Sequence, residues 1–182
     1  MQHMQRKPRR PNIGRQRGIG MVEIGLGLVI ATLITVGIVN YFSTNSTNAQ
    51  ANQLGSDLSL LMGKVKSAYG GQYANVTNAR LNTGGFFSKL PSLTNNAGVV
   101  TTSLGGGTLA VSSGTVTVAG DSVRYVITQL PDDACLPLVT ALAKSATTLN
   151  VGANVVKAAG ALPDPSRITC AGDNTTMTIQ VQ

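Results

Sequence analysis

The run Gly18-Ile19-Gly20-Met21-Val22-Glu23-Ile24-Gly25-Leu26-Gly27-Leu28-Val29-Ile30-Ala31-Thr32-Leu33-Ile34-Thr35-Val36-Gly37-Ile38-Val39 decides how the rest of the chain is organised. From Ile19 to Phe42 there are 24 residues, and Glu23 is the one charge among them. As a helix rising about 1.5 Å per residue this stretch is about 36 Å long, more than the roughly 30 Å of a bilayer's hydrocarbon core. It can cross a membrane. Arg6, Lys7, Arg9, Arg10, Arg15 and Arg17 precede it with no acid among them. The positive-inside rule therefore puts residues 1–18 in the cytoplasm and the body on the exported side.

Those six cations also explain the formal charge of +7. The body after them carries eight Lys and Arg against seven Asp and Glu, a net +1, so no specific nucleic-acid binding is expected. At 182 residues the chain is long enough for one domain plus an appendage and short for two independent cores. Apolar residues make up 42%, charged residues 12% and aromatics 4%, with no Trp, so core and surface both rely on small aliphatic and hydroxyl side chains. That composition excludes a charged disordered tail.

Three readings compete for the N-terminal segment. A secretory signal has the basic and apolar regions and could use Ala49-Gln50-Ala51 for cleavage. Its apolar region is usually only about 7 to 15 residues, and here the Ala pair sits some ten residues past the apolar run. A plain membrane anchor leaves Glu23 as an unexplained cost, up to about 3 kcal/mol at the bilayer centre. The third reading uses every feature: a basic leader ending in Gly18, apolar Ile19 next, Glu23 fifth after the Gly, and about twenty apolar residues following.

That arrangement resembles the class III signal of type IV prepilins. The resemblance implies that a membrane-bound prepilin peptidase cuts between Gly18 and Ile19 and that Ile19 becomes the N-methylated first residue. A cut after Gly20 would leave Glu23 third instead of fifth. In the family this Glu complements the N-terminal amine of a neighbouring subunit. An unpaired buried amine or carboxylate costs several kcal/mol, so such pairing would set register during assembly. The alternative for Glu23 is a carboxylate snorkelling at the membrane interface. The Ile19-Gly20-Met21-Val22 start departs from the common Phe start, and with the long leader it resembles the type IVb subclass of thin conjugative, bundle-forming and typhoid-type pili. Gly20, Gly25 and Gly27 are not a phosphate-binding loop, because no Lys-Ser/Thr follows and the run is of membrane length. They suit close helix approach.

Beyond Asn40 the chain turns polar through Ser43-Thr44-Asn45-Ser46-Thr47-Asn48. Leu54, Leu58, Leu61, Val65 and Ala68 then recur at helical spacing, and Gly70-Gly71 offers the stop. A helix from about Gly20 to Tyr69 would be about 75 Å long. Its weak point is the Asn/Ser/Thr interval, since those residues favour caps and turns. Residues 71–107 read as a long loop region with short elements. A β-hairpin is expected over 108–134, from Leu109, Val111 and Thr115–Val118 to Val123, Tyr125, Ile127 and Gln129, turning at Ala119-Gly120-Asp121-Ser122. An amphipathic helix is expected over Ala134–Leu149, with Leu138, Leu142 and Ala146 or Leu149 inward and Pro137 tolerable only in its first turn. A strand is expected near Asn154–Lys157 and a last one over 174–182.

Cys135 and Cys170 are the only cysteines, and export makes a bridge between them the default. Closing that loop stabilises by about 3.8 kcal/mol in the chain-entropy account. The pair also resembles the disulfide loop near the pilin C-terminus. Two cysteines are too few for a closed metal site, and the single His3 lies in the leader, so neither metal nor cofactor is expected. Asp132 and Asp133 read as acids at the start of a helix. No Ser or Thr has a base beside it in motif form, so nothing points to an enzyme.

The expected fold is α+β: a long N-terminal α-helix, membrane half then amphipathic half, packed on an antiparallel sheet with a C-terminal disulfide loop. The expected domains are a leader 1–18, a helix 19–70 and a head 71–182, with residues 135–170 bounded by the disulfide. The resemblance implies a major pilus subunit whose partners are copies of itself, the prepilin peptidase, the pilus assembly machinery and minor pilins. It would reside in the inner membrane as a precursor and on the cell surface afterwards. The alternatives are a minor pilin, a pseudopilin, or a monomeric exported binding module held by its N-terminal helix. Pseudopilin heads often lack the disulfide and use calcium, so the Cys pair points away from that one.

Overall fold

The computed structural model describes residues 20–182, in two compact units that divide between Asn40 and Tyr41. Helix α1 runs unbroken over Met21–Tyr69. The Asn/Ser/Thr interval does not interrupt it, and the side chains of Ser46 and Thr47 bond within the helix itself. Thr47 Oγ1 donates to the Ser43 carbonyl at 3.0 Å, and Gln50 Nε2 donates to Ser46 Oγ at 3.3 Å. Back-bonding of this kind satisfies the hydroxyl without a cap or turn.

The second unit is built on a seven-stranded antiparallel sheet. Its strands are β1 (Leu93–Asn96), β2 (Val99–Thr102), β3 (Thr108–Thr115), β4 (Ala119–Leu130), β5 (Thr148–Val151), β6 (Asn154–Lys157) and β7 (Thr175–Val181). In space they run β1-β2-β3-β4-β7-β5-β6. The last strand is thus inserted between β4 and β5, with Tyr125 opposite Ile179 on one side and Leu149 opposite Ile179 on the other. Period-two alternation puts Val123, Tyr125 and Ile127 of β4 and Met177, Ile179 and Val181 of β7 on the buried face. They share one core with Ala51, Leu54, Leu58, Leu61, Met62 and Val65 of α1. Ala68, expected on that stripe, is exposed.

Two short segments close the head. Helix α2 (Asn78–Thr83) starts at an N-cap, with Thr77 accepting from the Arg80 amide. Asn78 then serves the edge of β3: its Nδ2 donates to the Leu109 carbonyl at 2.9 Å and its Oδ1 accepts from the Val111 amide at 2.7 Å. Helix α3 (Asp132–Leu142) lies against α1 where Gly55 has no side chain. A Cβ there would sit 3.1 Å from the Ala141 Cβ and 3.5 Å from Leu138 Cδ1.

Four expectations need correction. The β3–β4 turn is Val116–Val118, and Ala119–Ser122 belong to β4. The Asp121 carboxylate draws the chain round there, accepting from the amides of Val116, Thr117 and Val118 at 2.7–2.8 Å. Gln129 lies at a β-bulge with φ 53°, exposed instead of continuing the inward alternation. Helix α3 ends at Leu142, and Leu149 forms the separate strand β5, because the side of β7 away from β4 offers it a partner. Lys157 Nζ donates to the carbonyls of Ala143 and Ala146 at 2.8 and 2.6 Å, a cation at a helix C-terminus. Pro137 is the sixth residue of α3, beyond the first turn. The carbonyl its missing N–H leaves free is that of solvent-exposed Asp133, where water can serve.

Candidate functional site

Helix α1 has two halves with different surroundings. From Met21 to Val39 every described side chain is exposed. Ile24, Leu26, Leu28, Val29, Ile30, Leu33, Ile34, Val36 and Ile38 point in all directions around the axis, and the most apolar window has a mean hydropathy of 2.3. Thr32 Oγ1 donates to the Val29 carbonyl and Thr35 Oγ1 to the Ala31 carbonyl, both at 2.8 Å. The only hydroxyls in the run are therefore satisfied internally, as a nonpolar surrounding requires. A helix apolar all round belongs in a membrane or in a bundle of like helices.

Glu23 stands in the first turn of α1, where the helix dipole favours a carboxylate. Its amide donates to the Gly20 carbonyl at 2.8 Å, and its side chain is exposed. It has no ion pair among the described residues. Gly18 and Ile19, expected as the cleavage point and the methylated residue, lie outside the described residues.

At the other end of the chain Cys135 and Cys170 are joined, with Cα atoms 5.9 Å apart. Cys135 sits in α3, fully buried, so the bridge ties the core helix to the segment leading into β7. Within the loop it closes, Asp164 caps a 3-10 turn over Pro165–Arg167. The Ser166 hydroxyl and amide, and then Arg167, hold the Asp164 carboxyl below the usual carboxylate range. Asp132 and Asp133 occupy the first turn of α3, as acids there should, and Asp133 Oδ2 accepts from Thr44 of α1.

One residue that periodicity did not single out matters to this arrangement. Asp57 lies on the buried side of α1, 5% exposed, where a carboxylate looks out of place. Ser92 donates to it through both its amide (3.0 Å) and its hydroxyl (2.5 Å), and Gln53 Nε2 adds a bond at 3.1 Å. Hydrogen bonds to a charged acceptor are among the stronger kind. They fasten the chain just before β1 to the helix. Its signal was legible only as an acid interrupting the Leu54–Leu58 stripe. No cluster of His, Cys, Asp or Glu among the described residues could hold a metal ion.

The family described as PilS N terminal matches residues 28–182. This chain belongs to the PilS family. The resemblance to type IVb pilins stands with it: the protein is a type IVb pilin, a structural pilus subunit. Solved structures similar to this PilS-family pilin include two pilins. One is TcpA, a type IV pilin from Vibrio cholerae El Tor biotype, with 15% identity and a TM-score of 0.48, covering 75% of this chain and 99% of that one. The other is the type IVb pilin from Salmonella typhi, with 13% identity and a TM-score of 0.47, covering 74% of this chain and 97% of that one. No curated protein matches the chain.

Proposed function

We propose that this protein is the major subunit of a type IVb pilus. A prepilin peptidase cuts between Gly18 and Ile19, Ile19 is N-methylated, and the cleaved subunits assemble by bundling their apolar half-helices. The observation that carries this reading is the exposed, all-round apolar half of α1 with Glu23 in its first turn. Such a surface is costly in water at about 25 cal/mol per Å². In the membrane before assembly and in a filament core afterwards that cost vanishes. Glu23 then meets the new amine of a neighbouring subunit, so a subunit at the wrong height leaves two charges unpaired in an apolar bundle.

The precursor has its leader in the cytoplasm and its head in the periplasm. The filament is extracellular and serves adhesion, cell aggregation or conjugative mating. The peptidase, the assembly machinery and minor pilins are its partners on the way. The first test is the mass of the N-terminal proteolytic peptide from cells that hold a prepilin peptidase. A peptide starting at Ile19 with one extra methyl supports the pathway. A start near Asn52 or an intact Met1 overturns it. The second is Glu23→Ala, expected to leave the subunit in the membrane and abolish sheared filaments; normal pili from this variant would defeat the pairing role.

A further inference from the structure

The sheet face away from the core carries a second feature, separate from the apolar half of α1. Between strands β3, β4, β7 and β5 lies a cleft of about 460 Å³, lined by Gly114, Thr115, Arg124, Asn150, Thr178 and Gln180 among others, within the size range of small-ligand sites. Pairing brings these residues together: Arg124 lies opposite Gln180, and Thr178 lies opposite Asn150. Groups from three neighbouring strands, about 4.8 Å apart, thus face one space.

The cleft depends on a missing side chain. A Cβ on Gly114 would come within 2.6 Å of Ser122 Oγ, 3.2 Å of Gln180 Oε1 and 3.3 Å of the Arg124 Cβ. The same neighbours orient the donors. Ser122 Oγ donates to Gln180 Oε1 at 3.2 Å, which leaves the Gln180 amide N–H groups to the cleft. Asn150 and Thr178 are half-buried and have no side-chain hydrogen bond among the described residues. The Arg124 guanidinium has no acid beside it among the described residues. Asp121, the acid nearest in sequence, is occupied: its oxygens accept from the turn amides, the Thr117 hydroxyl and the Gln182 amide at 2.7–2.8 Å.

We propose that this cleft binds one carboxylated sugar residue, a uronic acid or a similar acidic pyranose. An unopposed guanidinium offers a fork that fits a carboxylate with two parallel hydrogen bonds. The amides of Asn150 and Gln180 and the hydroxyls of Thr115 and Thr178 match the mixed donors and acceptors of ring hydroxyls. Almost no apolar wall and no aromatic side chain line the cleft, which disfavours a lipid or an aromatic ligand. Without an aromatic platform each site is weak. Repetition along a filament, on the pilus reading, would raise the avidity without any new contact. The site itself belongs to one subunit and does not depend on assembly.

The test is an amide NMR titration of the isotope-labelled full chain in detergent micelles with sodium glucuronate, with glucose and sodium acetate as comparisons. The expected result is saturable shifts at Gly114, Arg124, Asn150, Thr178 and Gln180. Removing the charged donor with Arg124→Gln, on an exposed side chain, should weaken binding about tenfold. Gly114→Val should abolish it. Glucuronate shifts no larger than those of glucose overturn the proposal, as does acetate binding equally well, which would mean a simple anion contact. An Arg124→Gln chain that titrates like the original also overturns it. Because the titration uses unassembled subunits, its failure leaves the pilus reading intact, and a failure of pilus assembly leaves the cleft intact.

Discussion

The two halves of α1 share one backbone conformation and little else. From Met21 to Val39 the side chains are apolar on every side and exposed on every side. From Ala51 to Val65 a narrow stripe of Ala51, Leu54, Leu58, Leu61 and Val65 is fully buried, while Ser56, Ser59 and Leu60 on the other flanks are exposed. The second half is stabilised by its own subunit, as amphipathic helices usually are. The first half is apolar all round and exposed, a pattern that suits lipid or a bundle of like helices. Head stability is thus encoded in the second stretch of the helix, and substitutions in the two stretches should differ in their effect on the head.

The largest expected separation comes from the disulfide. Replacing Cys135 and Cys170 by Ser should destabilise the head by about 2–5 kcal/mol. Thermal unfolding of the head in micelles would report this, while the helicity of Met21–Val39 should persist in the same sample. Loss of both signals together would break the comparison. Next, Leu58→Ala removes a fully buried side chain and should cost about 3 kcal/mol. Leu33→Ala, on an exposed position of the apolar half, should leave head unfolding within about 0.5 kcal/mol.

The glycines sharpen the same contrast. Gly55→Val drives a branched side chain into Ala141 and should cost about 2 kcal/mol of head stability. Gly27→Ala meets nothing within 4 Å and should strengthen the helix by up to about 1 kcal/mol. A destabilised head from Gly27→Ala would mean that the halves are coupled after all.

The smallest effect is at the β3–β4 turn. Partial desolvation raises the Asp121 carboxyl, but the bonds from Val116, Val118 and Thr117 outweigh it and hold the group well below the usual carboxylate range. A folded value below the unfolded one means that its stabilisation is present above the ordinary carboxylate pKa and fades as pH falls through the folded value. Asp121→Asn should therefore lower the unfolding temperature at pH 7, and the gap to the parent chain should narrow as pH drops below about 4. A gap that stays constant with pH would show that the turn needs only the side chain's shape.

Much of the head was legible because its signals are local. Thr176, Thr178 and Gln180 alternating with Met177, Ile179 and Val181 can only be a half-buried strand, and β7 is that strand. Asn154–Lys157 is legible from its adjacent β-branched Val155 and Val156, but its partner Thr148–Val151 is not, because Leu142, Ala146 and Leu149 also fit a helical spacing. Periodicity over so few residues does not separate the two states. Asp121 was legible as a turn residue, yet the turn lies on its N-terminal side, since the carboxylate reaches back to amides three to five residues earlier.

Sequence alone set out a basic N-terminal stretch, a membrane-length helix with one acid near its start, and a head with one cysteine pair. Each is set by composition and short-range spacing, which act before any long-range contact forms. The entry of β7 between β4 and β5, the fastening of the segment before β1 by Asp57, and the meeting of Arg124, Gln180 and Asn150 at one cleft are visible only in the folded chain. These depend on which strands pair and in what register, a choice made by the whole buried core at once.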